Sequence, residues 1–215
     1  MSIKEFKKNG YTLIKNAINP ELRDVITQYA LFDEMQDFTP DGSQVPNAHS
    51  KYADPAMEAM LLNLHPKIEK YTGLELYPTY SFYRVYRNGD ELTPHTDRPS
   101  CEISATVCFN YSYFYSPDDT HIEGSSADSR SSYCWPIYMA GNKIVMEPGD
   151  LVVYRGIDVE HWREQFLPPE DSWHVQAFFH YVDANGPCSE CKFDKRSSIG
   201  LLKNNTFKKY LSYNK

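Results

Sequence analysis

Two N-terminal stretches carry apolar residues at helical spacing. Leu22, Val25, Ile26, Tyr29 and Ala30 follow Asn19-Pro20-Glu21, a helix opening with Asn as N-cap, Pro at the first helical position and an acid in the first turn. Met57, Met60, Leu61, Leu64 and Ile68 follow Asp54-Pro55, and Gly73 supplies a C-terminal stop. A short strand is expected at 11–14 (YTLI), and a long polar loop at 37–53. From Tyr77 the period changes to two. YPTYSFYRVYR, ISATVCFNYSYFY, NKIVME, GDLVVYRG, EHWREQF and WHVQAFFHYV read as strands separated by turn signals such as Arg87-Asn88-Gly89-Asp90 and Pro148-Gly149-Asp150. A further polar loop is expected at 116–132.

Helices followed by many short strands predict a mainly β protein, an antiparallel sandwich or jelly roll with its N-terminal helices packed on one sheet. With 215 residues and no linker, one domain is expected: helical support over 1–76, a jelly-roll core over 77–183 and a C-terminal extension over 184–215. The 17 tyrosines suit sheets and polar-lined pockets better than a helical bundle. A net charge of -7 argues against nucleic acid as the main partner. Five cysteines, an odd number, and no apolar leader or membrane-length stretch point to a reducing, cytoplasmic setting.

His95 and Asp97 lie two residues apart, so on a strand both face one side. Alone, the pair reads first as two polar residues at a strand end. His161, after the strand begun at Gly149-Asp150, offers a third ligand. Two histidines and a carboxylate are the ligand set of a non-haem Fe(II) centre that leaves three positions open. Cys188-x-x-Cys191 lacks the second pair that a structural zinc site needs. No phosphate-binding glycine motif is present.

These pieces occur in a telling order: Tyr86-Arg87-Asn88-Gly89-Asp90, His95-x-Asp97, the strand Ser104 to Asn110, Glu147-Pro148-Gly149-Asp150 leading to His161, and the last strand ending at Asp183. Across about residues 77–183 the chain resembles the Fe(II)/2-oxoglutarate-dependent dioxygenase superfamily, most of all its prolyl-4-hydroxylase-like branch. The resemblance implies a double-stranded β-helix (jelly roll). It implies Fe(II) held by His95, Asp97 and His161, with 2-oxoglutarate and O2 as cosubstrates and ascorbate in support. The implied reaction hydroxylates an unactivated C–H bond of a prolyl or other amino-acid, peptide or small-molecule substrate, releasing succinate and CO2. A catalytically silent, cupin-like metal-binding jelly roll is the competing reading.

The sequence departs from the resemblance at the cosubstrate anchor. Asp171 stands where relatives carry a basic residue, and allowing for the longer loop brings His174 there instead. Arg163, two after His161, shares its face and is the favoured anchor; Arg84 and Arg155 are the alternatives. The plain alternative for Arg163 is a surface ion pair with Glu160 or Glu164. Tyr86 takes the position of a phenol that bonds 2-oxoglutarate. Thr106 and Cys108 share a face and are expected to line the pocket. His180 and Trp173 are expected to be packed aromatics, and His49, His65 and His121 surface or capping residues.

Overall fold

The computed structural model describes residues 3–42, 44–113, 135–168 and 172–201. The 116–132 loop, His121, Asp171 and the basic C-terminal tail lie outside the described residues. The chain runs α1 (Ile3–Asn9), β1 (Tyr11–Ile14), α2 (Pro20–Gln36), β2 (His49–Tyr52), α3 (Pro55–Thr72), β3 (Leu76–Arg87), β4 (Leu92–His95), β5 (Ile103–Tyr111), β6 (Ile137–Met139), β7 (Asn142–Ile144), β8 (Leu151–Arg155), β9 (His161–Arg163) and β10 (Trp173–Asp183). Asn19 accepts a hydrogen bond from the Leu22 N–H, and Asp54 accepts from Ala56 and Met57, so both expected N-caps form. Gly73 ends α3 at φ 71°, a left-handed turn that suits glycine.

Two antiparallel sheets face each other as a double-stranded β-helix. One has the order β1-β8-β5-β10-β3-β2, the other β4-β9-β6-β7. The N-terminal region is therefore more than helical support, because β1 and β2 form both edges of the larger sheet. The expected 37–53 loop accordingly contains a strand, and His49 on it is fully buried rather than superficial. Its Nδ1 accepts from the Thr39 N–H at 3.0 Å and its Nε2 lies 3.0 Å from Asp33, which also receives the Tyr83 hydroxyl. The half-buried His65 bonds the Leu76 carbonyl at 2.9 Å. β2, β4 and β6, each of three or four residues, were not among the expected strands.

The larger sheet is covered on both faces, and its alternation sorts the two. Val85, Ile103, Ala105, Val107, Val153, Val175, Ala177 and Phe179 point to the helices. There they meet Ile26, Ala30, Met57, Leu61, Leu64 and Ile68 in the main core. The alternate residues of the same strands face the second sheet: Arg84 and Tyr86, Ser104 and Thr106, then His174, Gln176, Phe178 and His180. The inner face thus mixes these polar groups with apolar residues such as Phe82, Cys108 and Val152. Trp173 lies at the margin of the main core. Cys188 and Cys191 are buried with Val182, and the groups able to share an ion among the described residues do not include them. No described helix is long and apolar enough to cross a membrane.

Candidate metal centre

His95 ends β4, His161 begins β9, and the two are direct partners across the smaller sheet. Asp97 follows β4 on a backbone held by its own N–H, which donates to the Gly156 carbonyl at 2.8 Å. One Asp97 oxygen, Oδ1, lies 3.8 Å from the Nε2 atoms of both histidines. An ion about 2.1 Å from each ligand atom can span such separations. The far ring nitrogens fix the rings: His95 Nδ1 is 2.9 Å from the Thr93 carbonyl, and His161 Nδ1 is 2.9 Å from that of Val159. Each Nδ1–H donates outward, which turns an unprotonated Nε2 towards the shared point.

Burial lowers the titration of both imidazoles, and for His95 the facing His161 adds to it, so both are neutral near pH 7. Burial pushes Asp97 up to about 6, against the Ser104 hydrogen bond. The second carboxylate oxygen of Asp97 accepts from the Ser104 hydroxyl at 2.9 Å. Ser104 in turn lies 2.9 Å from His180 Nδ1. Neutral imidazoles and one oriented carboxylate, with their outward atoms already bonded, fit a divalent first-row ion.

Gly156 closes this corner. A Cβ there would lie 2.1 Å from the Cys101 carbonyl, 2.5 Å from Asp97 Oδ2 and 2.9 Å from the Ser104 hydroxyl. Only glycine lets the chain come this close to the carboxylate.

The three ligand side chains open onto a cavity of about 410 Å³. Arg84, Arg98, Tyr80, Phe82, Phe178 and His180 share its wall. His180, expected to be a packed aromatic, packs tilted against the Tyr80 ring with centroids 4.5 Å apart, but it also faces this cavity. Arg84 is held in the wall by Asp41 at 2.6 Å and by Gln44 at 2.6 Å. Arg98 holds Asp194 at the rim with two hydrogen bonds.

Arg163 is 1% exposed, which rules out a surface ion pair. It lies deeper between the sheets, 4.5 Å above the Trp135 ring, and donates to the Trp135 carbonyl at 2.7 Å and to Gln176 at 3.2 Å. His174 is its neighbour, bonded to the same Gln176 oxygen at 2.8 Å and to Tyr113 at 2.8 Å. Gln176 donates to Thr106 at 2.5 Å. Tyr86, fully buried, accepts from Arg84 at 3.3 Å and sets its ring edge-on to Trp135. Cys108 belongs to the neighbouring apolar cluster with Met139, Met146 and Tyr154. Arg155 is set apart from both groups, with its guanidinium over the Phe6 ring at 5.2 Å.

Ser104, His180, Asp41 and Gly156 were not singled out in the sequence as site residues. Ser104 and His180 could have been found by strand parity, since they share the inner faces of β5 and β10 with Thr106 and Gln176. Asp41 and Gly156 carry no such signal.

No protein-family model and no curated protein matches this sequence. Solved structures do. A prolyl-4-hydroxylase from Pseudomonas putida is 18% identical, with TM-score 0.57 over 83% of this chain and 96% of its own. A prolyl hydroxylase in complex with a hypoxia inducible factor peptide fragment, from Trichoplax adhaerens, is 13% identical, with TM-score 0.62 over 85% and 88%. The non-haem alpha ketoglutarate dependent epimerase SnoN from nogalamycin biosynthesis is 10% identical, with TM-score 0.65 over 96% and 91%. At these identities the likeness is one of fold.

Proposed function

We propose that this chain is an Fe(II)- and 2-oxoglutarate-dependent dioxygenase of the prolyl-4-hydroxylase-like branch, hydroxylating an unactivated C–H bond. The observation that carries the proposal is the convergence of His95 Nε2, His161 Nε2 and Asp97 Oδ1 beside an open cavity, on a fold shared with such enzymes. When bound, the iron would supply the oxidative chemistry, with 2-oxoglutarate and O2 as cosubstrates. The chain's own share is geometric. Thr93 and Val159 hold the imidazole rings, Ser104 turns the carboxylate, and the cavity wall orients a substrate. The solved relatives include one with a peptide bound and one acting in small-molecule biosynthesis, and a substrate of either kind is proposed here.

Arg163 is the proposed anchor for the far carboxylate of 2-oxoglutarate. His161 and Arg163 are two apart on β9, so their Cα atoms are separated by about 6.7 Å along one face. A five-carbon dicarboxylate has a comparable reach, four C–C bonds of about 1.5 Å each. Tyr86 and His174 flank that interior site. Arg84 is less suited, because the Asp41 carboxylate already occupies it.

The test is succinate formation by purified protein with Fe(II), ascorbate and 2-oxoglutarate, alongside the visible spectrum on anaerobic addition of 2-oxoglutarate. Turnover, even uncoupled, supports the proposal. Neither succinate nor any spectral change would leave the metal-binding jelly roll. Arg163→Lys should raise the 2-oxoglutarate requirement far more than Arg84→Lys; equal effects would remove Arg163 from the role.

A further inference from the structure

His180 is 5% exposed, and its position in the cavity wall goes beyond what the metal centre requires. Its Nδ1 is committed. The Ser104 hydroxyl has one proton and two acceptors for it, Asp97 Oδ2 at 2.9 Å and the Cys101 carbonyl at 3.1 Å, so the Ser104 oxygen is left to accept from His180 Nδ1–H. That order of donors fixes the tautomer and leaves Nε2 with a lone pair. Among the described residues Nε2 has no hydrogen-bond partner, while no fully enclosed side-chain nitrogen or oxygen lacks one. The nitrogen therefore opens to the cavity. Burial, and Arg98 after it, hold the imidazole down to about 3, so it stays neutral at working pH.

We infer that His180 is a substrate-recognition residue, whose Nε2 accepts a hydrogen bond from an uncharged N–H or O–H donor on a substrate lodged beside the triad. A neutral donor suits this wall, because its charges are already paired, Arg84 with Asp41 and Arg98 with Asp194. Tyr80, Phe82 and Phe178 supply apolar surface around the donor. The class that fits is a secondary amide or alcohol on a compact apolar frame. This rests on the oxygenase reading only for where the oxidised carbon lies; the donor preference stands on the cavity itself.

The test uses ring-sized secondary amides and alcohols, each paired with its N-methyl or O-methyl counterpart. Binding to Zn(II)- and 2-oxoglutarate-loaded protein is read by ligand-observed NMR. The donor-bearing member of a pair should bind about 2- to 10-fold more tightly to wild type, the worth of one net hydrogen bond. In His180→Phe that preference should vanish. Zn(II) stoichiometry and thermal midpoint, read on the same samples, separate lost preference from lost fold. In wild type, 15N spectra of the histidine side chains should show His180 protonated at Nδ1 and bare at Nε2. A proton on Nε2 overturns the inference, and so does the absence of any donor preference in wild type, absence of binding included. Succinate formation, measured separately, reports on the oxygenase reading alone.

Discussion

Replacing Gly156 with alanine should dismantle the candidate metal centre without substituting any of its three ligands. The added methyl would sit 2.1 Å from the Cys101 carbonyl and 2.5 Å from Asp97 Oδ2, where van der Waals contact needs well over 3 Å. The backbone cannot easily yield. The Gly156 N–H is bonded to the Glu102 carbonyl at 3.0 Å, and its carbonyl holds the Asp97 N–H at 2.8 Å. The softest response is rotation of the Asp97 carboxylate away from Ser104 and the histidines. Overpacking of this kind costs about 1–3 kcal/mol. For a chain of this size that lowers the thermal midpoint by about 2–12 °C. Metal affinity should fall by about 10- to 100-fold or more, the loss usual when a ligand's supporting contacts are disturbed. Isothermal titration with Fe(II) or Ni(II), beside calorimetric melting of the metal-free protein, reads both. A Gly156→Ala protein that melts and binds metal like the wild type would refute the close-approach argument.

Ser104→Ala removes the bond that turns Asp97, and should weaken metal binding about 10- to 100-fold while leaving the far-UV spectrum unchanged. Glu58→Gln uncouples a buried ion pair with Arg196, whose side chains are 2% and 0% exposed, and should cost about 3–5 kcal/mol in denaturant titrations. His174 titrates well below its ordinary value of 6.5, first through burial and then through Arg163. The unfolded chain therefore takes up a proton that the folded one refuses. Stability of the metal-free protein should fall as pH drops below 6.5, by about 1.4 kcal/mol per pH unit from this residue. His174→Gln should remove that share of the slope in melts between pH 6.5 and 5.

Much of the fold was legible because the chain obeys simple periods where its elements are long. The caps Asn19, Asp54 and Gly73 fall where local chemistry places them, and β3, β5 and β10 alternate cleanly. The convergence of the three candidate metal ligands was legible through spacing and order: His95 and Asp97 two apart, then His161 after a turn-initiated strand. What stayed hidden depends on tertiary approach. Gly156 looks like any loop glycine until Cys101, Asp97 and Ser104 close around it. Asp41 belongs to a polar stretch and becomes meaningful only when β2 brings it beside Arg84. His180 reads from the sequence as a packed aromatic, yet the strand turns it to the face opposite the core residues Phe179 and Tyr181.

The inner face of the larger sheet raises a question of economy. A jelly roll of this size could fill the space between its sheets with apolar side chains, and such replacements are often neutral or stabilising. This chain instead buries Arg163, His174, Gln176 and Thr106 in one connected group. A connected polar group holds together only when every member is satisfied, so Gln176 is the member on which the others depend. Its oxygen receives Arg163 and His174, and its nitrogen reaches Thr106. Gln176→Leu should therefore cost more than one hydrogen bond, about 1–3 kcal/mol for the buried donors it strands. A double-mutant cycle with Arg163→Met in urea should return a coupling of about 0.5–3 kcal/mol. Coupling near zero would mean that Gln176 does not hold the guanidinium. The interior group would then be four separate buried residues, and Arg163 would lose its support as the proposed receiver of a carboxylate beside the candidate metal centre.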